Sequence, residues 1–176
     1  MEELPAGDLI FEAYPTKKEA VEGKDFAFYS LGGEYIGGGR MRQDYKDPNN
    51  GYGILLAWDK SGSVIFRGGL DYYQGRAGLG QTTGSFRRAK EHKGHRIGRK
   101  MAVVGMDVLR SFLKETGLPL KEIGFTTSPG SSMAKIGKFL GMTDEEGKGH
   151  YSKKEVPDVQ KLMEDLSVRK IEPNEN

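Results

Sequence analysis

The sequence predicts a mixed α/β domain built on a mostly antiparallel sheet with helices on both faces, and three observations carry this. Short β-rich runs, punctuated by glycine and proline, fill the first half of the chain. A long amphipathic segment follows, Lys93 to Thr116, in which Ile97, Met101, Val104, Val108 and Phe112 recur at helical spacing. Beyond it a strand, a second helix and a short strand succeed one another. A run of strands followed by alternating helix and strand belongs to layered folds in which helices cover a sheet.

Each element has its own local reason. Asp8 to Tyr14 is a short apolar run suited to a first strand, ended by Pro15. Thr16 then offers an N-cap to the polar helical turns of TKKEAVEGK. Phe26 to Leu31 alternates as a second strand and stops at Gly32-Gly33. The next stretch, through Asp47-Pro48-Asn49-Asn50-Gly51, is rich in glycine and turn residues and reads as a long loop holding at most a short strand. Tyr52 to Trp58 and Ser63 to Tyr73 form a hairpin about the turn Asp59-Lys60-Ser61-Gly62, with Gly68-Gly69 marking a bulge or a close backbone approach. QGRAGLG reads as a turn, and Gln81 to Lys90 as a more polar strand. The long helix ends near Gly117, with Pro119 just beyond. Leu120 to Thr127 suits a central strand, and SSMAKIGKFLG a second helix that stops at Gly141. Gly149 to Lys153 suits a late strand, and Asp158 caps a last helix carrying Val159, Leu162, Met163 and Leu166.

Composition bounds the rest. A chain of 176 residues fits one domain, here expected over 1–170 with a frayed tail at 171–176, and buries roughly 70% of its unfolded surface. The absence of cysteine excludes disulfides, thiol catalysis and cysteine-ligated metal. Two of the three histidines, His92 and His95, stand among cations, which argues against a metal site. No apolar run reaches the ~20 residues of a membrane span, and the first ten residues lack the basic start and apolar centre of a signal peptide, so no membrane partner and a cytoplasmic location are expected.

Net charge is only +2, which makes the local clustering informative: seven Lys or Arg lie between Arg87 and Lys100, against the single acid Glu91. A basic turn holding Gly94 and Gly98 that runs straight into a helix presents free backbone N–H groups and the positive end of the helix dipole to an anion, most often a phosphate. Competing motifs fail. In Gly78-Leu79-Gly80-Gln81-Thr82-Thr83-Gly84 the last glycine comes one residue too late for a dinucleotide fingerprint, and a strand-like run follows it. There is no GxxxxGK[ST] loop, HExxH, EF-hand loop or GxSxG elbow. Ser128, Ser131 and Ser132 sit where a helix begins, and capping accounts for them.

The succession of strand, basic glycine turn, long helix, strand and second helix resembles the GNAT superfamily of N-acetyltransferases, over roughly residues 52 to 153. The family's most diagnostic segment, Arg/Gln-x-x-Gly-x-Gly/Ala, aligns with Lys93-Gly94-His95-Arg96-Ile97-Gly98 and the following Arg99. Phe139-Leu140-Gly141-Met142 is similar to its leucine-glycine ending of the next helix. The resemblance implies acetyl-CoA as a substrate, its pyrophosphate held by Lys93, Gly94, His95, Arg96, Ile97, Gly98 and Arg99. The strand around Arg88 and Ala89 would orient the pantetheine arm, and a small-molecule or protein amine would accept the acetyl group.

Two departures stand out. Arg96 occupies the position of the central glycine, where it costs close backbone approach and offers a guanidinium to a phosphate instead. Gly137 stands four residues before Gly141, where many members carry the tyrosine that protonates the leaving thiolate. Tyr151 or a water would have to substitute, and Glu91, His92 and Asp71 are the candidate bases. These departures leave open a catalytically inactive GNAT-like protein with a protein assembly partner, for instance a phage virion or accessory protein, whose location would then be the virion. A nucleic-acid-binding module fits least, since Phe86 is the one aromatic among the bases. The expected acceptor site is shaped by the Gly32–Gly51 loop and the C-terminal helix.

Overall fold

The computed structural model describes residues 15–79, 87–88, 95–128 and 130–172. Helix α1, Lys17–Glu22, is fixed by a reciprocal cap: Thr16 Oγ1 accepts from Glu19 N at 3.1 Å, and the Glu19 carboxylate accepts from Thr16 N at 3.0 Å. The strands β1 (Ala27–Ser30), β2 (Ile36–Gln43), β3 (Gly51–Trp58) and β4 (Val64–Tyr73) follow as an antiparallel meander. β5 (Arg76–Leu79) and β6 (Arg87–Arg88) both run antiparallel to β4. Helix α2 spans Ile97–Thr116, β7 Glu122–Thr126, α3 Ser132–Phe139, β8 His150–Lys153, α4 Val159–Leu166 and β9 Arg169–Ile171. The sheet order is β8-β7-β5-β4-β3-β2-β1-β9, with β6 also beside β4. Among the described residues every pairing is antiparallel except β5 with β7.

Period-two alternation sends β3 side chains to two cores. Leu55 and Ala57 join Tyr29, Leu79 and the α2 stripe on one face, whereas Ile54, Leu56 and Trp58 join Phe26, Phe28 and Ala20 of α1 on the other. Helices therefore lie on both faces, as expected. All five residues of the predicted α2 stripe are buried, and so are Ala102, Val103, Met106 and Leu109, because α3 and α4 pack against α2 from outside. Burial of each large apolar side chain contributes about 1.5–3 kcal/mol, which makes α2 the central support of that face. Asp107, the one buried charged residue of the described chain, accepts from Tyr29 Oη at 2.6 Å and from Arg110. Burial raises the Tyr29 phenol well above its usual range, and the Asp107 charge adds to the rise, so the tyrosine stays a donor.

Four expectations change. The stretch read as a long loop contains the eight-residue β2 in the middle of the sheet. Its glycines are there for space: a Cβ would come within 2.6 Å of Met101 Sδ at Gly37, 2.9 Å of Phe26 at Gly38 and 2.7 Å of Leu55 at Gly39. QGRAGLG turns only at Gln74-Gly75 before β5 begins, because both of those residues take positive φ, 49° and 89°. Gly68 and Gly69 keep regular register with Leu55 and Ile54, and the irregularity falls between Ala57 and Trp58 instead. Ile171, placed in the frayed tail, pairs with Phe28 in β9 and is buried, so packing extends past residue 170. The predicted first strand at 8–14 lies outside the described residues.

Candidate functional site

The start of α2 leaves the N–H groups of its first turn without partners inside the helix, and its side chains anchor the turn to the protein. Arg96 is the N-cap and adopts the left-handed conformation, φ 54° and ψ 29°, with no side-chain capping bond. The N–H groups of Ile97, Gly98 and Arg99 open the first turn, where a helix has no acceptors of its own. Ile97 is fully buried and pins the turn to the core. Lys100 reaches back to donate to the Leu31 carbonyl, and burial, together with repulsion from Arg96, lowers its ammonium pKa. The Arg99 guanidinium lies over the Phe139 ring of α3 at 5.4 Å. His95 packs its ring on Tyr35 at 4.9 Å and stays exposed, as does Arg96. Two of the seven clustered cations thus face the protein, which weakens the case for a broad basic surface.

At Gly98 an added Cβ would meet only Ile136 Cδ1, at an ordinary 3.5 Å. Among the described residues, packing does not require glycine there.

β5 and β7 pair in parallel through Arg76↔Glu122, Ala77↔Ile123 and Gly78↔Gly124, the last such pair among the described residues. Among the same residues β7 continues to Thr126 beside β8, and β5 reaches Leu79 beside β4. α3 starts shortly after β7 ends, and α2 follows β5 and β6 in the same sense, so both helix N-termini lie toward the carboxyl ends of these strands. In open sheets with parallel strands, ligands bind in the crevice outside such carboxyl ends.

On the face away from α2 the same strands line an open cavity of about 350 Å³. Gly78 and Gly124 give it a floor without side chains, Asp71 and Tyr73 of β4 stand on one side, and Thr126 and His150 stand on the other. Thr126 Oγ1 and His150 Nδ1 are 3.0 Å apart. Asp71 is half-buried, and burial raises its carboxyl above the ordinary range against the opposing effect of the Gly78 amide, which hydrogen-bonds to it. Of the three candidate bases, Asp71 therefore reaches a cavity, while Glu91 and His92 lie outside the described residues. Glu122, Thr126 and His150 escaped sequence reasoning. They come from strands that carry no motif, and the one usable signal was their alternation with the buried Ile123, Phe125 and Tyr151.

Gly137 of α3 faces the opposite side of the same strands. A Cβ there would sit 2.9 Å from Phe125 Cζ and 3.0 Å from Tyr151 Cγ. These two rings stack at 5.7 Å and 23° and fill the space a larger residue would use. Tyr151, the proposed substitute donor, is a buried packing partner of Gly137.

Of the residues assigned to the pyrophosphate, the structure brings His95, Arg96, Ile97, Gly98 and Arg99 into one turn. Lys93, Gly94 and Ala89 lie outside the described residues, and Arg88 is seen as backbone paired with Phe66. No group of acidic or histidine side chains able to hold a metal occurs among the described residues, and no described helix is long and apolar enough to cross a membrane. No family model and no curated protein matches the chain. Among solved structures it is similar to a nourseothricin acetyltransferase, at 16% identity over 80% of this chain and 92% of that one. The TM-score is 0.38, and a likeness at that level carries no argument about this chain.

Proposed function

We propose that the chain is an N-acyltransferase of the GNAT type that binds acetyl-CoA and transfers the acetyl group to an amine. The observation that carries the reading is the β5–α2–β7 crossover. Its described parallel pairing ends at Gly78↔Gly124, on the side where α2 begins with an open first turn. The pyrophosphate would lie against the N–H groups of Ile97, Gly98 and Arg99, with Arg96 exposed beside them, and Lys93, Gly94 and His95 completing the turn. The thioester arm would run along β5 and β7. The strand approaching α2 at Arg88 and Ala89 would supply backbone partners for it.

The chemistry is direct transfer. A neutral amine nitrogen bonds to the thioester carbonyl carbon, the carbon–sulfur bond breaks, and the proton lost by nitrogen balances the one gained by the thiolate. Strand edges and helix N–H groups orient the reactants, and this chain supplies no side-chain donor at position 137. That same position favours a second reading, a GNAT-like protein that binds the acyl donor or a protein partner without turnover, since the Phe125 and Tyr151 rings close the space a catalytic side chain would need.

Calorimetry with acetyl-CoA and with coenzyme A, followed by thiol release over a panel of amines, tests both readings. Micromolar binding with amine-dependent thiol release is expected. Binding without release would select the second reading, and no heat at millimolar ligand would remove acetyl-CoA from the account.

A further inference from the structure

A second cavity, of about 130 Å³, lies against the C-terminal half of α2 and is lined by residues of β1, β2 and β9. Topology leaves this space. β1 begins at Ala27, opposite Gly39, whereas β2 runs on to Gln43, so beyond Gly39 that edge of β2 has no described strand beside it. The cavity is separate from the site above. In the sheet order β4 and β3 stand between β5 and β2, and Val108 lies roughly 17 Å along α2 from Ile97.

Its charged lining residues are Asp25, Arg40, Glu115 and Lys170. Asp25 is already engaged from outside the cavity: its Oδ2 accepts from Arg42 Nε at 2.7 Å, and Arg42 Nη2 lies 2.5 Å away. Arg40 is left with the weaker share, 3.9 Å from Asp25 Oδ1, too long for a hydrogen bond. Its guanidinium lies over the Phe26 ring at 5.6 Å, its side chain is 16% exposed, and it makes no hydrogen bond among the described residues. Burial, and after it the Arg42 charge, lowers the Arg40 pKa, the mark of a cation short of compensation. Glu115 and Lys170 are exposed and without a partner among the described residues, and the Ser111 hydroxyl makes no hydrogen bond there either. Val108 and Phe112, both buried, supply an apolar wall.

The cavity therefore offers two uncompensated cations from the sheet, one uncompensated anion from the helix, and an apolar surface. A simple anion would meet Glu115 as well as the cations, and a simple cation would meet Arg40 and Lys170. A molecule carrying both charges a few bonds apart satisfies both walls, and the small volume limits it to a few heavy atoms. We infer that this cavity binds a small α-amino acid as its zwitterion. The carboxylate faces Arg40 and Lys170, the ammonium faces Glu115, and a short side chain packs on Val108 and Phe112. The inference does not depend on the acyl-transfer reading and adds a site that the reading does not use.

The test is an amide-resolved NMR titration of the whole chain with L-alanine, using acetate and ethylamine as probes that carry one charge each. Saturable shifts at Ala27, Met41 and Ser111 are expected with alanine, and at least tenfold weaker binding with either single-charge probe. Glu115→Gln and Lys170→Gln fall at exposed positions with no described partner to lose, so the fold should tolerate them, and each should weaken alanine binding severalfold. Arg40→Lys keeps the charge, removes the planar fork, and should weaken it as well. No saturation by about 10 mM alanine, weaker than a millimolar site, would overturn the proposal. So would shifts confined to other residues, or an unchanged affinity in both the Glu115 and Lys170 variants. Acetate binding as tightly as alanine, with Glu115→Gln silent, would reduce the cavity to an anion site and overturn the amino-acid assignment.

Discussion

The two faces of β5 and β7 are made from the same short strands and have opposite characters. Toward α2 and α3 the strands present Ala77, Leu79, Ile123 and Phe125, all buried. Away from them they present Arg76, Gly78, Glu122, Gly124 and Thr126, which line a cavity open to solvent. One face was filled to hold the crossover helix against the sheet. The other kept its floor bare and its polar groups reachable. The difference teaches where chemistry can sit in a small domain: support and site can share a strand only by alternating along it.

Substitution on the two faces should break this symmetry most clearly. Phe125→Ala removes a ring packed between Gly137 and Tyr151 and should cost about 3–5 kcal/mol in urea unfolding. Its neighbour Thr126→Ala, on the cavity side, should stay within about 0.5 kcal/mol. Similar losses at both positions would show that the open face is also structural. Gly137→Tyr adds volume on the filled face and should destabilise by about 1–3 kcal/mol through overpacking. If it were instead neutral and raised thiol release, the space beside Phe125 and Tyr151 would be adaptable, and the missing tyrosine would be a simple loss. A small change of the opposite sign is expected at Arg96→Gly. A left-handed arginine costs roughly 1–2 kcal/mol, whereas glycine returns about 0.5–1 kcal/mol as added backbone entropy in the unfolded chain. A gain below about 1 kcal/mol, seen as a small rise in Tm, should result. A clear loss of stability would mean that the arginine side chain, and not the turn backbone, holds this end of α2.

The conformation at Arg96 also clarifies the sequence comparison. The resemblance placed a non-glycine where a glycine was expected, and the backbone there takes the conformation that glycine adopts without strain. Gly137 is the reverse case, since its φ is not left-handed and the glycine answers only to the crowding of two rings.

Local physics made part of this protein legible from its residues. The caps at Thr16, Ser131 and Asp158 and the left-handed stop at Gly117 each depend on groups within a few positions of one another, and all lie where the sequence implied. The α2 stripe repeats at the helical period and needs no distant partner to be seen. The tertiary structure decided what depends on distant neighbours. The glycines of β2 read as loop residues until Met101, Phe26 and Leu55 close on them. Ile171 reads as tail until Phe28 pairs with it. The cavity draws on residues from Asp71 to Ser152 on β4, β5, β7 and β8, and of these Asp71 drew notice in the sequence as a candidate base and Tyr151 as a substitute donor. The order of the strands across the sheet and the face each residue takes, rather than any spacing along the chain, bring them together.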